Sequence, residues 1–161
     1  LNGRSIEHDM AWQRERFRTH IRAARRARKP LVIHTRSSAA DTLRVLTEEG
    51  GDAAGGVFHC FTESTEIALA AVEMGFYISF SGILTFKNAQ ALREVAQALP
   101  IERLLIETDS PYLAPVPYRG RTNSPAYVPH VATALAALKG VSVEELAAVT
   151  SANCRSLFGL P

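Results

Sequence analysis

"FYISFSGILTFKNAQALREVAQALPIERLLIETDS", residues 76–110, sets two short apolar runs on either side of a segment with helical spacing. FYISFSG (76–82) and LLIETDS (104–110) read as strands, because each is a brief continuous apolar stretch that ends in polar residues. Between them NAQALREVAQALP (88–100) repeats its apolar residues at helical spacing and stops at Pro100. Strand, helix, strand in this length describes a unit whose two strands run parallel. Uninterrupted apolar runs mark strands covered on both faces.

The alternation continues outward. DMAWQRERFRTHIRAARRAR (9–28) places Met10, Phe17, Ile21 and Ala24 on one helical stripe with arginines over the rest, and Lys29 and Pro30 stop it before LVIHT (31–35). Ser38 and Asp41 resemble a cap for a helix that ends at Gly50 and Gly51. GGVFHCF (55–61) is a second strand and STEIALAAVEMG (64–75) a further helix. Helices are expected over 126–139 and 142–158, the latter opened by Ser142 and Glu145 as a capping box. No low-complexity linker divides this order, so one domain over 1–161 is expected, of α/β class. The loop 111–125, PYLAPVPYRGRTNSP, is long and proline-rich, and loops of that length in compact domains are often functional.

A chain of 161 residues with 47% hydrophobic content can bury a sizeable core. No apolar run approaches the ~20 residues of a membrane span, so no membrane partner is expected. Two cysteines, Cys60 and Cys154, form neither a disulfide framework nor a zinc-site spacing, which fits a reducing cytoplasm. The chain opens on Leu1 rather than methionine, as a processed or truncated piece of a longer protein would.

The strand ends carry the chemistry. The first closes on His34, the second on His59, the third on Ser79 and Ser81, the fourth on Asp109. In parallel α/β folds the ligand site lies at the carboxyl ends of the strands, so these distant positions gather on one rim. Pleat parity puts His34 on the face of Val32, His59 on that of Val57, and Asp109 on that of Leu105 and Glu107, all inward if the sheet curls into a barrel. Two imidazoles and a carboxylate suit a divalent metal. Against this, one histidine at a strand end is more often a hydrogen-bonded structural residue. Glu107, one pleat deeper, is either an orienter of a ligand or a buried carboxylate paired with a base. Cys60 has the opposite parity and is expected in the core; Cys154, His8, His20 and His130 are expected to be structural or solvated.

VIHTR, VFHCFTES, GFYISFSGILTFKNAQALREV, RLLIETDSPYLAPVPYRGRTNSPAYV and TSANCRSLF together resemble successive landmarks of the TatD family of metal-dependent hydrolases. The resemblance implies a TIM barrel of the amidohydrolase type and a phosphodiesterase, typically a deoxyribonuclease, using divalent ions (Mg, Mn or Zn), two in the intact site. It implies that His34, His59 and Asp109 are metal ligands, with Asp109 also catalytic. Glu63 stands where a glycine is usual and Ser124 where a glutamate is common. The family's H-x-H motif and its bridging glutamate have no counterpart here and are expected before residue 1; this stretch then corresponds to about four of eight strands.

Arg36, Lys87, Arg119 and Arg121 follow strand ends and suit the phosphates of DNA, and of RNA as a second possibility. Tyr112, Tyr118 and Phe86 could stack on bases or pack the loops. The eight cations over 14–29 are expected to be a solvated outer face. The competing expectation is a catalytically silent fragment that binds nucleic acid or a partner through its basic surfaces. Open sheet edges in a part-barrel would also favour self-association.

Overall fold

The computed structural model describes residues 6–161, with side chains described from Met10 onward. Four strands, β1 (Leu31–Ile33), β2 (Gly56–Phe58), β3 (Tyr77–Phe80) and β4 (Leu104–Ile106), form one sheet in the order β1-β2-β3-β4. Every pairing is parallel: Val32 lies beside Val57, Val57 beside Tyr77, and Ser79 beside Leu105. Sequential parallel neighbours need a crossover between each pair, and α2 (Ala39–Glu48), α3 (Thr65–Glu73) and α4 (Gln90–Ala98) supply them. α1 (Ile6–Ala27) precedes β1; α5 (Val128–Lys139) and α6 (Val143–Phe158) follow β4. This is the strand–helix repeat of a TIM barrel of the amidohydrolase type, with four parallel strands among the described residues.

Parity divides the sheet as expected. Leu31, Ile33, Phe58, Ile78, Phe80 and Leu104 pack under the helices with Ile21, Leu46, Val95 and Leu135. Burial of each large side chain there contributes roughly 1.5–3 kcal/mol. Gly56 leaves room for the Leu31 carbonyl, which a Cβ would strike.

The inner face is less exposed than a part-barrel would suggest. Val32 is 62% exposed, but Val57 and Leu105 are buried because Cys154 and Leu157 of α6 pack on them with Tyr77. A trough of about 740 Å³ remains along this face, lined by Val32, Val57, Leu105 and Phe158 and reaching His59 and Glu107.

Helix ends mostly follow the sequence. Ser142 Oγ accepts from Glu145 N at 3.0 Å and Ser64 Oγ from Ile67 N. Ser38 makes no such side-chain bond; Thr42 instead donates to its carbonyl, and Asp41 is drawn to Arg14 and Arg44. Glu7 and His8 fall within α1 rather than before it. Part of the basic face of α1 engages α2, while Arg16, Arg26, Arg28 and Lys29 stay exposed: Arg14 meets Asp41 at 2.8 Å, Arg18 pairs with Glu48, and Arg22 grips Glu49 through two bonds of 2.7 Å. No described helix is long and apolar enough to cross a membrane.

Candidate metal centre

Backbone hydrogen bonds carry on past the ends of the strands and so fix the rim. His59 N donates to Ile33 O at 2.9 Å, Phe61 N to Ser79 O at 3.0 Å, and Glu107 N to Phe80 O at 3.0 Å. His34 follows β1 directly. Its Nδ1 stands 3.1 Å from Nε2 of His59, with ring centroids 5.1 Å apart. The other nitrogen of His59, Nδ1, is 3.1 Å from Glu107 Oε1. A carboxylate only accepts, so Nδ1 of His59 is the donor in this contact and Nε2 is the nitrogen turned toward His34.

One ligand atom each from His59, Glu107 and Asp109 lies within 4.8 Å of the others. The His34 and His59 nitrogens also suit one ion, since neighbouring ligand atoms with bonds of about 2.0–2.1 Å stand about 3 Å apart. Imidazole and carboxylate donors in this number fit a divalent cation. The rim thus joins His34 to His59 and His59 to Glu107 and Asp109, uniting residues 75 positions apart (109 minus 34). Glu107, assigned by parity to a deeper position, stands at the back of His59 and also within reach of the same centre.

Cys60 departs from its expected place. It adopts φ +45, a left-handed conformation that breaks the pleat alternation after β2. Its Sγ turns to Ser81 Oγ at 3.2 Å and lies 3.9 Å from Asp109 Oδ2, while Phe61 takes the core position against Phe58 and Phe80. Burial, with the carboxylates of Asp109 and Glu107 also nearby, pushes the thiol up to about 11, so it stays protonated at neutral pH and acts as a neutral neighbour of Asp109.

Asp109 itself sits at φ +58, at the start of a turn closed by Tyr112 N donating to Asp109 O at 2.9 Å. The loop beyond is pinned against the segment after β3. Gly82 has no Cβ because the Leu113 carbonyl fills that space, and Val116 N donates to Thr85 Oγ1 at 2.9 Å. Asn123, buried within the loop, bonds the turn that carries Asp109, and no sequence pattern singled it out. Its place as an amide inside a long proline-rich loop is the signal that could have drawn attention to it.

The cations and aromatics divide. Arg36, Lys87 and Arg121 are exposed on loops after strand ends and form no ion pair among the described residues. Arg119 lies 3.9 Å over the ring of Phe86, which engages both. Tyr118 stacks on Tyr127 at 4.1 Å and meets His130 edge-on, whereas Tyr112 is 71% exposed.

Comparison with known proteins identifies the family. The sequence profile described as TatD related DNase matches residues 3–159. An uncharacterized metal-dependent hydrolase of Escherichia coli K12, YcfH, is 56% identical over 91% of this chain and 55% of its own length. A Citrobacter rodentium protein named 3'-5' ssDNA/RNA exonuclease TatD is 35% identical over 92% of this chain and 58% of its own. The crystal structure of YJJV, a TatD homolog from E. coli K12, superposes with TM-score 0.80 at 29% identity, covering 88% of this chain and 54% of that one. The chain spans a little over half the length of these relatives. A match over nearly every residue, with the strand-end histidines and Asp109 gathered on one rim, places this chain in the TatD-related DNase family.

Proposed function

We propose that this chain supplies part of the active site of a metal-dependent phosphodiesterase acting on single-stranded DNA or RNA from an end. The observation that carries the reading is His59, whose Nε2 stands 3.1 Å from His34 Nδ1 and which also groups with Glu107 and Asp109. In this reading His34, His59 and Asp109 hold one divalent cation, Mg²⁺, Mn²⁺ or Zn²⁺, and Glu107 orients His59 through Nδ1. The bound ion would supply Lewis-acid stabilisation of a phosphoryl oxygen and lower the pKa of water. Asp109 accepts the proton of the attacking water. Arg36, Lys87 and Arg121 receive the substrate's phosphates, and Tyr112 offers a face for a terminal base. The nucleic-acid substrate is suggested by the name of the Citrobacter relative. Cells that keep cysteines reduced, as in the cytoplasm, suit the two free thiols.

The test is Asp109→Asn in the natural full-length polypeptide. It removes a charge with almost no change in volume, so hydrolysis of single-stranded DNA with Mg²⁺ or Mn²⁺ should vanish while the circular dichroism spectrum is retained. Wild-type turnover in the variant would remove Asp109 from the mechanism. Nucleic-acid binding with no turnover in the wild type would favour the silent-fragment alternative.

A further inference from the structure

Two asparagines hold β4, one at each end. Asn153, on α6, donates through Nδ2 to Leu104 O at 2.8 Å and Ile101 O at 3.0 Å, where the strand begins. Asn123 does the same past the strand's carboxyl end: Nδ2 donates to Thr108 O at 2.7 Å and Tyr112 O at 2.6 Å. Both side chains are buried, at 8% and 5% exposure. The chemistry is matched and the locations are not.

Asn123 does more than tie two carbonyls. Its Oδ1 accepts from Ser124 N at 2.8 Å, and its own N–H donates to Pro111 O at 3.0 Å. Every polar group of its side chain, and its backbone N–H, is therefore engaged, and three of these four bonds reach the segment 108–112. Within that segment sits Asp109, in the left-handed conformation, which Asp tolerates better than most residues other than glycine. Thr108 and Tyr112 flank Asp109 on both sides, so one planar amide sets the width of the turn from which the carboxylate projects. Only an amide NH₂ offers two hydrogens in fixed directions to two carbonyls together with an acceptor on the same short stem.

We propose that Asn123 is a positioning residue for Asp109: its amide clamp on Thr108 O and Tyr112 O holds the carboxylate at the rim in the place that binds metal. The proposal rests on the metal reading above. Where the clamp is lost, the turn relaxes from φ +58 and Asp109 leaves the group it forms with His59 and Glu107.

Mn²⁺ affinity and thermal unfolding, measured by calorimetry on the natural full-length polypeptide without substrate, test it in Asn123→Ala, Asn123→Ser and Asn153→Ala. The two alanine variants each lose one amide clamp on two backbone carbonyls and should lose similar thermal stability. Mn²⁺ affinity should fall about 10- to 100-fold in Asn123→Ala, the range seen when the support of a ligand is removed. It should stay within about twofold in Asn153→Ala, whose clamp lies at the far end of β4. Asn123→Ser keeps an oxygen for Ser124 N–H but has no amide donors, and carries the same expectation if the alanine variant is too unstable to titrate. Unchanged Mn²⁺ binding in a folded Asn123 variant, or equal weakening in Asn153→Ala, overturns the proposal. Absence of Mn²⁺ binding in the wild type would instead overturn the metal reading, and the clamp proposal with it.

Discussion

Replacing Glu107 separates an orienting carboxylate from a metal ligand, because the two roles predict different sizes of effect. In the structure Glu107 Oε1 accepts from His59 Nδ1 at 3.1 Å, with 22% of the Glu107 side chain exposed. A hydrogen bond to a charged group contributes about 1.5–3 kcal/mol, and a neutral one about 0.5–1.5 kcal/mol. Glu107→Ala loses the whole bond, so Mn²⁺ affinity should fall about 10- to 150-fold at about 1.4 kcal/mol per decade. Glu107→Gln can still accept through its amide oxygen. It loses only the charged part, about 1–1.5 kcal/mol, or roughly 5- to 12-fold. Partial exposure pulls both toward the low end. Titration of full-length protein with Mn²⁺, followed by calorimetry or by the loss of the free-ion paramagnetic resonance signal, measures the series. An orienter gives wild type, Gln, Ala in that graded order. If Glu107→Gln removes binding as completely as Asp109→Asn, the carboxylate is itself a ligand, as its place within 4.8 Å of His59 and Asp109 permits, and the orienting argument is wrong.

The α1–α2 interface should respond to acid. Arg22 of α1 holds the Glu49 carboxyl below its usual range, and Arg44 of α2, helped by Arg18 and Arg14, does so for Glu48 and Asp41, so the stabilisation is present above about pH 4.5 and is lost as pH falls through the lowered values. Glu49→Gln should therefore reduce thermal stability more at pH 7 than in acid, the difference shrinking as pH falls below about 4.5; equal losses at every pH would contradict the sign. At the rim, Tyr112→Ala should raise KM for single-stranded DNA about 5-fold or more with little change in kcat, since one stacked base is worth about 1–3 kcal/mol. Tyr118→Ala, whose ring is already stacked on Tyr127, should not shift KM in that way.

Four strands, their parallel order and the helices between them were legible because each rests on local pattern. An apolar run such as LLI can be counted along the chain, and a period of two fixes which of its residues share a face. The same period aimed His34 and His59 at one rim, where their nitrogens stand 3.1 Å apart. Where a residue leaves regular backbone, the period no longer predicts it. Cys60 turns through φ +45 and its thiol meets Ser81 and Asp109, with Phe61 in the core place that parity gave to Cys60. Contacts between distant segments were equally hidden. Nothing along the sequence told that the arginines of α1 would meet Glu48 and Glu49, that Arg119 would lie on Phe86, or that Cys154 and Leu157 would cover Val57 and Leu105. Asn123 is the sharpest case. Its residue type is ordinary for a loop, and its role exists only because the chain folds back to bring Thr108 O and Tyr112 O, 15 and 11 residues away, to the two hydrogens of one amide. Residue type and spacing, which the sequence carries, select the strands and place candidate ligands at their ends; the direction of a bond between segments far apart in the chain is a property of the packed structure alone.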